Sequence, residues 1–175
     1  MIGNVLALFK TFLEIIILRK GPEDIPRSSA LFVIVVAIWF TVDVVAVMVV
    51  ESYKSSSLFI DLVLALAGLG IYALVVNAFG KHDRLIQSFT AIFGSSIVFS
   101  VVLFGGRLAL PMMLTENEVN WAIQLIWFWS IPVEGHIIAH TIDRQWYVGF
   151  LIALSVLFAQ WQLYAVLKPV LAPVT

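Results

Sequence analysis

Long apolar runs separated by short polar segments are the dominant pattern of this chain. Four runs are long enough to cross the ~30 Å hydrocarbon core of a bilayer as helices, and a fifth is long enough if its helix continues through Pro132. The pattern therefore predicts an all-α, polytopic membrane helix bundle with five transmembrane helices. The predicted spans are residues 30–50, 58–79, 85–106, 121–142 and 146–167.

The segment before the first span has a different pattern. Residues 2–19 look helical, with Lys10 and Glu14 paired one turn apart on a thin polar face, but their apolar run is too short to span a bilayer. We expect Gly21-Pro22 to end this helix. A secretory signal is an alternative, but no basic region precedes the run and no small-residue cleavage site follows it. Residues 1–29 are therefore predicted to be a cytoplasmic amphipathic helix in the membrane interface followed by a Pro-rich linker. At the other end of the chain, residues 169–175 are predicted to be a short tail.

The fourth span leaves two alternatives open. Residues 121–131 alone are too short to cross, so a re-entrant segment would end near Pro132. A full crossing would continue to residue 142, with a kink near Phe128 and Trp129, because Pro132 removes one backbone hydrogen bond. Only three residues would then separate spans four and five, which predicts a tight antiparallel hairpin. The crossing is the favoured alternative.

Basic residues indicate the orientation of the five spans. With the N-terminus in the cytoplasm, seven of the ten basic residues are inside and three are outside, which is the asymmetry expected of inside loops. A re-entrant fourth span would weaken that asymmetry to six against four. We therefore expect an integral membrane protein with its N-terminus in the cytoplasm and its C-terminus on the opposite side of the membrane. The inside residues are Lys10, Arg19, Lys20, Arg27, Lys81, Arg84 and Arg144, and the outside residues are Lys54, Arg107 and Lys168.

Composition agrees with a membrane protein and excludes several functions. Hydrophobic residues make up 62% of the chain and charged residues 12%, against about 25% charged in soluble domains. A net charge of −1 gives no basic field for nucleic acid. The absence of cysteine removes disulfides, thiolate catalysis and iron–sulfur ligation. Partners are expected to be the lipid bilayer and other membrane subunits or further copies of the chain, and no cofactor is expected.

Candidate chemistry is concentrated in the stretch PVEGHIIAHTIDR. Helical spacing puts His136, His140 and Asp143 on one face, while Glu134 lies about 200° away from His136 on another. The simplest interpretation is that His140, Asp143 and Arg144, at the cytoplasmic end of the span, are solvated or pair across the hairpin turn. The alternatives are a titratable proton site and a metal site on His136, His140 and Asp143. Haem ligation between two spans is not expected, because His82 belongs to an inner loop.

Asp43 is the other ionisable residue deep in a span. A carboxylate there must be protonated, paired or exposed to a wet cavity. It lies about as far outside the bilayer centre as Glu134 lies inside it, so we expect Asp43 to contact Glu134 or His136 if the two helices touch. Asp43, Glu134 and His136 are therefore the intramembrane polar candidates.

Small residues predict where helices pack closely. Gly68 and Gly70 in span two and Gly94 and Ser95 in span three would let another backbone approach.

No known catalytic motif is present: the chain has no P-loop, dinucleotide-binding glycines, nucleophile elbow or zinc-protease helix. We therefore expect an integral membrane scaffold or accessory subunit without catalytic activity, which packs with itself or with a larger inner-membrane complex. The alternative is a small transporter or proton/ion-conducting subunit that uses Asp43, Glu134 and His136. A metal-dependent intramembrane enzyme would need His136 and His140 as ligands.

Two features resemble the Yip-domain family of small polytopic proteins. One is a Gly/Pro element, Gly21-Pro22 and Pro26, before five spans, and the other is the closing segment from Trp121 to Leu154, which is similar to the last two spans of bacterial members. In eukaryotes that family binds small GTPases and shapes trafficking membranes, and it has no agreed enzymatic activity. In this chain Glu23-Asp24 follow the Gly-Pro, so GTPase binding is not carried over. The resemblance implies a bacterial cytoplasmic (inner) membrane protein, whose C-terminus would then be periplasmic. It implies no particular reaction or ligand.

Overall fold

The computed structural model describes residues 2–49 and 58–171, and the regular structure in these ranges is entirely helical. Five helices are long and apolar enough to cross a membrane, and the N-terminal helix is a shorter sixth. The all-α, polytopic fold class predicted from the apolar runs is therefore confirmed. The helices are α1 (Ile2–Ile16), α2 (Ser29–Val49), α3 (Leu58–Ala78), α4 (Leu85–Ala109), α5 (Glu116–Thr141) and α6 (Trp146–Leu171).

The apolar runs locate the helices well but miss two ends. α5 begins at Glu116, five residues before the predicted span, because Thr115 caps it: Glu118 Oε2 accepts a hydrogen bond from the Thr115 backbone N–H at 2.9 Å. It then continues unbroken through Pro132 to Thr141, so it does not end near Pro132 and is long enough to cross a membrane. The full crossing stays a prediction. α6 extends to Leu171, so the predicted tail contributes a helical turn, and residues 172–175 lie outside the described residues.

Helix packing follows the order α2, α4, α5, α6, α3. The α5–α6 hairpin is the most extensive interface, and α2 packs mainly on α4 while α3 packs mainly on α6. The consecutive helices α2 and α3 make almost no direct contact within the described residues. The bundle therefore has a lateral opening between α2 and α3.

Three helices end in the same hydrogen-bonded turn, in which the residue after the last helical turn has a positive φ. In each, the next backbone N–H bonds to a carbonyl five residues back, as in a Schellman motif. α1 ends in this way at Leu18, and Gly21-Pro22 is not its terminator, so that prediction is wrong. The positive-φ residues are Leu18 (59°), Gly80 (69°) and Asp143 (51°).

Three connections meet at one end of the bundle, which we call the inner end: the α1–α2 connector (residues 17–28), the α3–α4 turn (79–84) and the α5–α6 turn (142–145). Lys81 and Arg84 both contact Asp143 there. The connections predicted to share the cytoplasmic side are thus neighbours, which is the arrangement that a full crossing by α5 requires.

α1 packs against the bundle through its buried residues Phe12 and Ile15. The Phe12 ring lies on Gly94 of α4, where any side chain would collide with it. Gly94 is nine residues past Leu85, roughly 14 Å along the helix axis. The apolar face of α1 is therefore partly covered by protein, while Leu6, Phe9 and other apolar residues of α1 remain exposed. The interfacial position of α1 stays a prediction.

Candidate functional site

The inner half of α5, Ile131–Thr141, is mostly buried: eight of its eleven residues are buried. Val133, Ile137 and Ile138 are completely buried. On the α6 side, the backbones of Gly135 and Gly149 touch, and a Cβ on Gly149 would collide with the Gly135 carbonyl oxygen. On the α4 side, the Thr141 hydroxyl donates to Ser88 Oγ at 3.0 Å. The buried polar side chains on this part of α5, His136 and Thr141, must therefore find their partners within the protein.

Glu134 is bound by α3. The Tyr72 hydroxyl donates a 2.7 Å hydrogen bond to Glu134 Oε2, and Tyr72 is 3% exposed. A buried tyrosine hydroxyl requires a partner, so this bond satisfies both groups. The predicted separation of Glu134 from the histidine face is what the fold contains, because Glu134 faces α3 whereas the imidazoles face the α1–α2 connector.

His136 and His140 hold the α1–α2 connector. His136 Nε2 lies 3.0 Å from the Lys20 carbonyl oxygen, and because a carbonyl only accepts, this nitrogen carries the proton. His140 Nδ1 lies 2.8 Å from Glu23 Oε1. The two rings are adjacent, with centroids 4.4 Å apart. The pair therefore contacts both the backbone and a side chain of the connector.

Two further side chains reach the N-terminal segment. Trp129 Nε1 donates to the Ile16 carbonyl at 3.0 Å, and Gln87 Nε2 of α4 donates to the Ile25 carbonyl at 2.8 Å. Together with His136, they bind three backbone carbonyls between residues 16 and 25. The connector consequently lies against α4 and α5 with a defined backbone path, although it contains little regular structure.

Asp143 is separated from the histidines by the end of α5. Its carboxylate receives Arg84 Nη1 at 2.7 Å and Lys81 Nζ at 2.6 Å. The Arg84 hydrogen bond, supported by Lys81, lowers the pKa of Asp143 to about 2. Arg144 points elsewhere and lies over the Phe79 ring, 5.3 Å from its centroid. The predicted solvated face is therefore an ion-paired contact between the α5–α6 turn and the α3–α4 turn.

The metal hypothesis does not gain support from this geometry. Across residues 2–49 and 58–171, no group of three or more His, Asp or Glu side chains is arranged to hold a metal ion. Because Asp143 lies in the left-handed turn beyond α5, it does not supply the third ligand that its spacing predicted.

Asp43 does not meet Glu134 or His136, so this expectation is wrong. Asp43 Oδ1 accepts a 3.3 Å hydrogen bond from Ser100 Oγ of α4. The physical reason is helix order: α2 packs on α4, and the Glu134 face of α5 is directed to α3. The three intramembrane candidates thus have three separate partners.

Two cavities lie along the opening between α2 and α3. The outer cavity, about 400 Å³, is lined by Asp43, Asp61 and Ser100 with aromatic neighbours. The smaller inner cavity, about 140 Å³, includes the Tyr72–Glu134 pair. Trp39 borders both. Asp43 and Glu134 therefore line neighbouring cavities that share Trp39, although the two carboxylates do not touch.

The predicted packing residues differ in their surroundings. Gly94 is covered by Phe12, and Gly68 by the side chain of Gln160, whose amide donates to the Leu64 carbonyl at 2.9 Å. Ser95 is buried at 3% exposed. Gly70, in contrast, is exposed, and a Cβ added there would have nothing within 4 Å, so it is not a packing position within the chain.

Sequence reasoning missed several residues that make the tightest contacts. Gly135 and Gly149 were not identified, although both lie close to the predicted α5–α6 hairpin turn and could have been found as small residues facing each other. Trp129 and Gln87 carry no comparable signal, because their partners are backbone carbonyls, which every residue has.

No protein-family model, curated protein or solved structure matches this chain. The resemblance to Yip-domain proteins stays a prediction.

Proposed function

We propose that the protein is an integral membrane scaffold or accessory subunit without catalytic activity. The observation that carries the proposal is that the polar side chains of the bundle form hydrogen bonds with other parts of the same protein. Glu134, His136 and His140 each bind a different element or group, and Asp43 is hydrogen-bonded to α4. Groups engaged in this way hold helices in place and are poorly disposed to act on a substrate.

The outer face of α3 is the surface through which we propose that two copies associate. Leu66 and Leu74 are 59% and 71% exposed, and Gly70 and Asn77 are exposed on the same face. A glycine on such a face lets another helix approach closely. An asparagine amide both donates and accepts, so two copies related by a twofold axis can satisfy each other.

Single-molecule photobleaching of the labelled protein in vesicles tests this association. Wild type should remain dimeric as the protein is diluted into lipid, whereas Gly70→Leu should shift the population to monomers. Gly105→Leu is the matched control, because Gly105 is also exposed with open space around it, and it should leave the dimer unchanged. A monomeric wild type, or a dimer insensitive to Gly70→Leu, would contradict the proposed surface.

The cavities along the α2–α3 opening favour a second candidate, a proton- or ion-conducting subunit. Asp43 and Glu134 border them, which is what a relay in a membrane needs. His136 borders neither, so a relay would use the two carboxylates. Vesicles containing the purified protein and a trapped pH dye distinguish the candidates: conduction requires a proton flux that Asp43→Asn abolishes, and the scaffold requires none above empty vesicles.

We further propose a bacterial inner-membrane location with the inner end in the cytoplasm. The seven basic residues predicted inside support this orientation. Because the chain has no cysteine, single cysteines report the side directly. In intact cells an impermeant maleimide should label Met113→Cys and leave Asp83→Cys unlabelled, and the opposite result would reverse the orientation.

A further inference from the structure

The outer cavity combines two carboxylates with aromatic walls. Asp43 and Asp61 contribute the carboxylates, and Trp39, Phe40 and Trp127 contribute rings. Its volume of about 400 Å³ lies within the usual range for small-molecule sites, about 300–1,000 Å³. Among the described residues that line it there is no lysine, arginine or histidine. The part of the lining that the structure describes therefore carries two carboxylates and no cationic side chain.

The two carboxylates have few hydrogen-bond partners within residues 2–49 and 58–171. Asp43 receives one long hydrogen bond, 3.3 Å from Ser100, on a single oxygen. Asp61 forms no hydrogen bond or ion pair with any residue in the described ranges. This differs from Glu134 and Asp143, whose donors lie at 2.7 Å or less. Within an apolar span, a carboxylate without a close hydrogen-bond donor is stabilised more by a bound cation than one that already has such a donor.

The chemistry of the walls selects the kind of cation. A divalent metal needs several oxygen ligands at short distance, and no such group of side chains exists in the described residues. Indole and phenyl rings instead attract organic ammonium groups through their negative faces and cover apolar substituents. The gap between α2 and α3 gives such a molecule a lateral entrance.

We propose that the outer cavity binds a monovalent organic cation with an apolar substituent. Its ammonium group lies between Asp43 and Asp61, and its apolar part packs against Trp39 and Trp127. This site goes beyond the scaffold role, and it does not depend on dimerisation.

Calorimetric titration with phenyltrimethylammonium tests the site in the full chain in lipid nanodiscs, with empty nanodiscs subtracted. This probe is permanently charged, so pH does not change it. We expect saturable binding of one probe per chain, weakened about tenfold or more by Asp43→Asn and severalfold by Asp61→Asn. The uncharged isostere tert-butylbenzene should not compete.

Asp83→Asn is the matched control, since it removes the same charge from an exposed residue at the inner end and should bind as wild type does. Thermal unfolding establishes that each variant is folded. Should Asp43→Asn not fold, Asp61→Asn and Trp127→Leu carry the test, because both side chains are exposed. The proposal is overturned if wild type binds without saturation, or if folded variants lacking a carboxylate bind as tightly as wild type.

Discussion

The two halves of α5 have opposite surroundings. From Ile131 to Thr141 eight of the eleven residues are buried, whereas from Glu116 to Trp129 only Val119 is. The inner half is surrounded by α4, α6, α3 and the N-terminal segment, while the outer half faces the opening where α2 and α3 diverge. One helix thus contributes both to a closed core and to the wall of a cavity.

The comparison teaches how the bundle distributes its polar groups. In the inner half, Glu134 and His136 have partners at 3.0 Å or less, and the elements that carry those partners are themselves packed. In the outer half, Asp43 and Asp61 border a cavity and have one long hydrogen bond between them. The closely hydrogen-bonded carboxylate, Glu134, therefore borders the smaller cavity, and the two carboxylates with one long hydrogen bond border the larger cavity, so each group can be perturbed separately.

The largest expected effect is a loss of stability at the α5–α6 crossing, where α6 packs on the inner half of α5. Gly149→Ala places a methyl group against the Gly135 carbonyl and Ala139, where only backbone movement could relieve the clash. We expect a loss of about 3 kcal/mol or failure to fold, measured as the free energy of unfolding in detergent. The control is Gly105→Ala, which meets nothing within 4 Å and gains helix propensity. Equal stability of the two variants would contradict the close crossing.

A smaller loss is expected from Tyr72→Phe. It removes the 2.7 Å hydrogen bond to Glu134 and leaves that side chain without its donor. We expect a destabilisation of about 1 kcal/mol, the scale of interhelical hydrogen bonds in membranes. A double-mutant cycle with Glu134→Leu, which removes the acceptor, measures the coupling directly. A coupling of zero would show that the two side chains do not support each other.

The contact between the two inner turns should depend on pH. The pKa of Asp143 is lowered to about 2, so its contribution is present above the unfolded-state pKa and is lost as the pH falls through about 2. At pH 7 the melting temperature of wild type should therefore be higher than that of Asp143→Asn. The difference in melting temperature should become smaller between about pH 4 and pH 2. Asparagine tolerates the positive φ of this position, so the comparison isolates the charge. A pH-independent difference would exclude the ion pairs as its source.

The smallest effect on stability is expected for two cysteine probes, which differ instead in reactivity. Ser100→Cys borders the outer cavity, and Ser88→Cys lies in the closed half at 0% exposed. A small water-soluble thiol reagent should modify the first and not the second. Modification of both at similar rates would remove the distinction between an open and a closed half.

The sequence was sufficient for the helices and insufficient for their partners. Apolar runs predicted α2 and α3 closely, because a bilayer requires long helices and polar residues are costly within them. Helical spacing also separated Glu134 from His136. The Asp43 partner was wrong because it depends on which helices are neighbours, and spacing within one helix contains no such information.

The N-terminal segment could not be predicted for a different reason. Its path is fixed by Trp129, His136 and Gln87, each of which binds a backbone carbonyl. Because every residue has a backbone carbonyl, the sequence pattern indicates neither which carbonyl is bound nor which side chain binds it. The positive φ of Leu18, a position where glycine is usual, also hid the end of α1.

The attachment of the N-terminal segment also has a consequence for biosynthesis. Trp129 and the Ile16 carbonyl are separated by 113 residues, and His136 and Lys20 by 116. Because a polypeptide is synthesised from its N-terminal side, Ile16 and Lys20 are made more than 110 residues before their partners in α5. During that interval the apolar face of α1 lacks α4 and α5, the helices against which it packs in the fold. The contacts of the α1–α2 connector with α5 should therefore be among the last of this bundle to form.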